Sequence, residues 1–143
     1  IDVLGRFLNM GVEEYQFVSA LNCVLAQRLV RTICTECKRV KGVTPREAED
    51  AGLNPDLAGD YTFYEGAGCI ECGGTGYRGR TAICELLDLS DNIREMILLR
   101  RPRSEIKNAA HAEGMRFLRE SAIERALGGV TTLREINKVT FVE

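Results

Sequence analysis

Cys34-Thr-Glu-Cys37 and, 31 residues further on, Cys69-Ile-Glu-Cys72 are the stretches that decide how this chain folds. The two residues inside each Cys-x-x-Cys form a tight knuckle, so both thiolates of a pair reach one ion. Two pairs complete a tetrahedron of four sulfurs. Soft thiolates select zinc or iron–sulfur over hard cations, and two-by-two spacing is that of structural zinc sites. Gly73 follows Cys72 where a knuckle needs a residue tolerant of positive φ; Lys38 holds that place after the first pair. With all four ligands supplied by the chain, no coordination position stays open. The expected cofactor is therefore one structural Zn2+ per chain on Cys34, Cys37, Cys69 and Cys72, and no catalytic residue is expected. Four thiolates and one Zn2+ sum to a charge of about −2. Arg31, Lys38, Arg39, Lys41, Arg78 and Arg80 lie close enough in sequence to offset it. A disulfide pair, a redox Cys-x-x-Cys and coincidental pairing are the competing readings. Cys23 and Cys84 sit among apolar neighbours and read as small buried hydrophobes.

Around these cysteines the chain has the composition of a globular domain. It has 143 residues, 45% hydrophobic and 28% charged, which excludes a disordered tail, a collagen-like rod and a coiled coil. A chain of this length buries a core and needs no disulfide framework. With 19 basic and 21 acidic side chains the net charge is −2, so no global basic field draws nucleic acid or anionic lipid. No apolar run approaches the roughly 20 residues of a membrane span. The chain opens on Ile1, Asp2 and Val3 with no secretion signal, so the cysteines point to a reducing compartment and a metal. The missing initiator Met predicts a piece of something longer.

The element pattern predicts a mainly α fold. Asp2 is expected to cap a helix to about Met10 carrying Val3, Leu4, Phe7 and Leu8, closed by Gly11. A long helix is expected over 13–31. Its apolar residues, from Tyr15 to Val30, cover most of the circumference, which predicts burial against a missing domain or a neighbouring subunit. Thr44-Pro-Arg-Glu47 is a capping box with Pro at the first helical position. Extended segments are expected at 61–64 and 80–89. The C-terminal third reads as helices capped by Ser90, by Ser104 and, in a second capping box, by Thr132 with Glu135.

Several signals carry less than their letters promise. Gly74-Thr-Gly-Tyr-Arg-Gly79 matches a dinucleotide-binding pattern, but a knuckle precedes it and a strand follows. There is no Gly-Lys-Ser or Gly-Lys-Thr, hence no P-loop. His111 is the only histidine and reads as a surface or packing residue. Arg100, Arg101 and Arg103 read as solvated charge closing a helix. Arg28 and Arg31 interrupt an apolar stretch just before the first knuckle. They read either as a structural ion pair or as lying near a nucleotide or a subunit interface.

Taken together the chain resembles the C-terminal region of the hexameric ATPases that power type II protein secretion and type IV pilus assembly. The matching residues are Arg6-Phe-Leu-Asn-Met-Gly11, Ala26-Gln-Arg-Leu-Val-Arg31, the four cysteines, Gly76-Tyr-Arg-Gly-Arg80 with Ile83-Cys-Glu-Leu-Leu87, and Gly114-Met-Arg-Phe-Leu118 leading into Gly129-Val-Thr-Thr-Leu-Arg-Glu135. Asn9 departs from the Asp common in the family. The resemblance implies a helical C-terminal subdomain of a RecA-like secretion ATPase, with a tetracysteine zinc-stapled loop and a small β element. The expected divisions are 1–33, a helical segment continuing from an upstream ATPase core; 34–80, the zinc loop; and 81–143, a strand and helical bundle. It implies Walker motifs upstream, so ATP and Mg2+ belong to the full-length parent and this chain alone is expected to be inactive. It implies a homohexamer on the cytoplasmic face of the inner membrane, docked to an integral platform protein, with no nucleic-acid partner. Two rivals remain. Cys69-Ile-Glu-Cys-Gly-Gly-Thr-Gly76 matches one repeat of a zinc-binding co-chaperone unit, and Lys38, Arg39 and Lys41 form the patch a nucleic-acid-binding zinc ribbon would need.

Overall fold

A computed structural model describes residues 2–140. In chain order the helices and strands are α1 (Asp2–Asn9), α2 (Glu14–Ala20), β1 (Cys23–Ile33), β2 (Lys38–Lys41), α3 (Pro45–Asp50), β3 (Phe63–Gly66), β4 (Tyr77–Asp88), α4 (Asp91–Leu98), α5 (Arg103–Ala112), α6 (Leu118–Leu127) and α7 (Leu133–Val139). Short 3-10 turns cover Thr35–Cys37, Pro55–Asp60 and Ile70–Cys72.

The expected helix over 13–31 is not one helix. It ends at Ala20, and the rest is strand β1, hydrogen-bonded alongside β4. The fold is mixed α/β and not mainly α: about 48% helix and 23% strand, with two antiparallel sheets. The cause is visible in the side chains. Val24 and Ala26 are half-buried and Val30 is buried, whereas Cys23, Leu25, Gln27 and Leu29 between them are exposed. A strand with apolar residues on both faces fills a helical wheel as completely as a buried helix does. β-branched Val24, Val30, Thr32 and Ile33 favour the extended form, and β4 supplies the ladder.

Side-chain caps are seen at three helix starts among the described residues, those of α3, α4 and α7. Thr44 and Glu47 form the full reciprocal box, with Glu47 N donating to Thr44 Oγ1 at 3.2 Å and Thr44 N to Glu47 Oε2 at 3.0 Å. Ser90 accepts from Ile93 N at 3.2 Å, as expected. Ser104 does not cap; α5 starts at Arg103 behind Pro102. The side chains of Asp2, Leu4 and Leu8, expected to cap and bury α1, lie outside the described residues.

The described chain divides into two units, and β1 and β4 each contribute to both. One takes the residues up to Ala26 together with Glu85–Phe117. Its core is Phe17, Val18, Leu87, Leu89, Ile93, Ile97, Ile106, Ala110 and Met115, with Phe7 stacked on Phe17 at 5.6 Å. Arg94 from α4 donates to the Val18 and Leu21 carbonyls, satisfying acceptors that the end of α2 leaves open. The other unit takes Gln27–Cys84 and Leu118 onward, around Val30, Ala51, Phe63, Ile83, Ala122, Ile123, Ala126 and Ile136. In it β2 and β3 pair antiparallel, Lys38 opposite Gly66 and Lys41 opposite Phe63.

Candidate metal centre

The β2–β3 register closes the 31-residue gap between the cysteine pairs. Cys37 leads directly into β2 and Cys69 follows β3 by three residues, so the ladder that sets Lys38 opposite Gly66 also brings the two knuckles together. The ladder runs on past the strands, with Ala67 N donating to the Cys37 carbonyl at 2.9 Å. On the other side Cys34 N donates to the Gly76 carbonyl at 3.0 Å. Gly66 and Gly76 cross here with backbones in contact; a Cβ on Gly76 would meet the Gly66 carbonyl oxygen at 2.5 Å. Gly73 has the left-handed conformation, φ 61°, that lets the second knuckle turn back. The first knuckle runs on extended at Lys38.

All four sulfurs lie within 4.8 Å of one another. Cys34 to Cys69 is 3.8 Å, Cys37 to Cys72 is 3.9 Å and Cys69 to Cys72 is 3.7 Å. Metal–sulfur bonds of about 2.3 Å in a tetrahedron require sulfurs about 3.8 Å apart, so the donor set fits a four-coordinate soft metal. These are not disulfide distances, and all six cysteines are free thiols. Backbone N–H groups point at the sulfurs: Gly68 N to Cys37 Sγ at 3.3 Å, and both Cys69 N and Gly76 N to Cys72 Sγ at 3.2 Å. Those bonds, first the one from Cys69 and next, after burial opposes it, the one from Gly76, bring the Cys72 thiol down to about 6. Burial pushes Cys37 up to about 11. At Cys69 the Cys72 backbone bond lowers the value, but burial and the Cys72 and Cys34 thiols outweigh it and the net shift is upward. Among the described residues this cluster is a closed set of four ligands.

Arg31 lies beside this centre in sequence and is engaged by Glu135. Its Nε donates to Glu135 Oε2 at 2.9 Å and its Nη2 to Oε1 at 2.6 Å. The guanidinium stacks 4.0 Å over the Tyr77 ring, and Tyr77 and Thr132 share a hydroxyl–hydroxyl hydrogen bond at 2.9 Å. Lys138 Nζ adds a contact to Glu135 Oε1 at 2.7 Å. Arg28 is exposed and donates to the adjacent Gln27 carbonyl. Glu135 is not readable from sequence as the partner of Arg31, since 104 positions separate the two. Cys23, expected to be buried, is exposed on the outward alternation of β1; Cys84 is half-buried. His111 stacks on Phe117 at 5.6 Å, the packing role expected of it.

Four cysteine side chains gathered where two knuckles meet across a β-ladder, inside a mixed α/β fold, form a donor set of the metal-knuckle class, and no P-loop lies among the described residues. The chain belongs to the type II/IV secretion system protein family, whose model it matches over residues 1–138. It is 40% identical over 134 residues to the type IV pilus assembly ATPase PilB of Myxococcus xanthus, covering 93% of this chain and 24% of that protein. It is 44% identical over 133 residues to PilB of Thermus thermophilus, covering 93% and 15%, and 37% identical over 144 residues to type II secretion system protein E of Pectobacterium carotovorum, covering 100% and 28%. The chain thus spans between 15% and 28% of the length of these relatives. No described helix is long and apolar enough to cross a membrane.

Proposed function

We propose that Cys34, Cys37, Cys69 and Cys72 hold one structural zinc ion, and that the chain is the zinc-stapled structural and interaction part of a hexameric ATPase serving type II secretion or type IV pilus assembly. The sulfur tetrahedron is the observation that carries the zinc assignment; membership of the secretion family supports the rest. Zinc would supply charge neutralisation and a cross-link, with no open position for chemistry. ATP and Mg2+ would be bound by P-loop residues elsewhere in the parent protein. The motor would work at the cytoplasmic face of the inner membrane beside an integral platform protein, the metal loop offering a rigid contact surface. Arg28, exposed on β1, and Arg31, held by Glu135, would lie near a nucleotide or a neighbouring subunit.

Metal analysis of the purified chain tests the centre: one zinc per chain is expected, and Cys34→Ser should release it and raise thiol reactivity across 34–80. Iron at the site, or a metal-free protein whose four thiols stay protected, would remove the assignment. In cells, cysteine-to-serine changes in the full-length parent should abolish secretion or piliation, and unchanged export would remove the partner role. Arg28→Ala in the full-length hexamer should lower ATP hydrolysis; an unchanged rate would remove Arg28 from the interface.

A further inference from the structure

Thr131, Thr132 and Glu135, where α7 begins, are buried polar side chains crowded into one short stretch. Groups taken out of water need partners, and the partners of these three lie on the two arms that carry the cysteine knuckles. The first arm runs from Arg31 to Cys34. Thr131 Oγ1 donates to the Arg31 carbonyl at 2.8 Å, and the Glu135 carboxylate accepts from Arg31 Nε at 2.9 Å and from Nη2 at 2.6 Å. Ile33 N, next to Cys34, donates to the Val130 carbonyl at 2.9 Å. The second arm is Gly76-Tyr77, and its Tyr77 hydroxyl is bonded to Thr132 Oγ1 at 2.9 Å. The arms are also joined to each other. Cys34 N donates to the Gly76 carbonyl at 3.0 Å, and the Arg31 guanidinium lies 4.0 Å over the Tyr77 ring.

Both arms act directly on the sulfurs. The first ends on Cys34 itself, and the second supplies the Gly76 N–H that meets Cys72 Sγ at 3.2 Å. Ligands of a four-coordinate site must be held within about 0.5 Å of their positions, and the groups that orient them set how well the metal is kept. We propose that Glu135, through Arg31, and Thr132, through Tyr77, are positioning residues of the metal centre, so that metal retention is coupled to the seating of α7. This coupling rests on the zinc assignment made above. It is reciprocal: the factor by which a seated α7 tightens zinc is the factor by which zinc holds α7 in its seat. A displacement of α7 therefore loosens the knuckles from about a hundred positions away in sequence, a range set by the 104 residues between Arg31 and Glu135.

Zinc release from the loaded chain to a chromophoric chelator at neutral pH tests this. Glu135→Gln should release zinc at least about fivefold faster than the wild type, and Tyr77→Phe, which keeps the ring under Arg31 and loses only the hydroxyl, about twofold faster. Ile136→Val trims the apolar side of the same helix, where Ile136 is fully buried. It should lower the melting temperature and leave the release rate within about twofold of the wild type, which separates positioning from general loosening of α7. In the opposite direction, stripping the zinc should make the amides of Ile33 and Glu135, bonded to the Val130 carbonyl and to Thr132 Oγ1, exchange at least about fivefold faster. Release indifferent to Glu135→Gln, release accelerated as much by Ile136→Val as by Glu135→Gln, or exchange at Ile33 and Glu135 indifferent to the metal would each overturn the coupling while zinc stays bound. A chain that takes up no zinc removes the proposed centre itself, and the coupling with it.

Discussion

Glu135 was legible as a capping residue and does a different job. Thr132-Leu-Arg-Glu135 has the letters of a reciprocal box, and half of it forms, with Glu135 N donating to Thr132 Oγ1 at 3.2 Å. The carboxylate goes instead to Arg31 and Lys138, because charged donors outbid a backbone amide for an anion that is 7% exposed. The hydrogen bonds from Arg31 are the main reason its pKa falls to about 2. A folded-state pKa below the unfolded value means the carboxylate stabilises the fold fully above about pH 5, with the contribution lost as pH falls toward 2. Its size is up to about 3 kcal/mol. Urea unfolding of the wild type and of Glu135→Gln should therefore differ most at neutral pH, and the two midpoints should converge as pH drops from about 4.5 toward 2. A gap independent of pH would show that the ion pair does not carry the stability. The cysteines were legible because their spacing is local. Arg31 was readable only as an ion pair or an interface group, since its partner is set by the fold.

At the scale of elements, what was legible had its cause within a few residues. The box at Thr44 and the start of α4 at Ser90 are short-range hydrogen bonds, and both stand. β1 failed that condition: its conformation is decided by β4, some 50 positions away, so apolar periodicity alone pointed to the wrong element. The crossing of Gly66 and Gly76 is likewise invisible in sequence, because the contact between these two backbones is set by the fold. Gly76 has φ 77°, and an added Cβ would meet the Gly66 carbonyl carbon at 3.0 Å as well as its oxygen. Gly76→Ala must strain the backbone and push the two arms apart, and Gly76 N is one of the donors to Cys72 Sγ. The expected cost is on the order of 2–3 kcal/mol, read by thermal melting, with faster reaction of the four cysteines toward a thiol reagent. Thr44→Ala should cost about 1 kcal/mol and leave those thiols as slow as before. Equal thiol reactivity in the two variants would mean the glycine crossing does not hold the knuckles in place.

In the molecule as a whole, the two cores draw on different forces. One packs Phe17, Leu87, Ile93, Ile97 and Ile106 with no cysteine among its members. The other packs Phe63, Ile83, Ala122 and Ile136, and the chain between Cys34 and Gly76 joins it through short elements: β2, β3, one six-residue helix and three 3-10 turns. Segments so short do not order themselves, so a metal that ties both ends of such a stretch contributes its binding free energy to folding. Removing the proposed zinc should unfold the chain by region. With a chelator added, amides between Cys34 and Gly76 should exchange at least about tenfold faster, and those of α4 and α5 should keep their rates within about twofold. The Cys34 amide, bonded to the Gly76 carbonyl, is the earliest reporter because it joins one knuckle to the arm that follows the other. Hydrogen exchange by mass spectrometry on the holo and chelated chain resolves these regions. If α4 and α5 accelerate as much as the knuckles do, the cysteine centre governs the whole chain and the apolar core of Ile93 and Ile97 has no stability of its own.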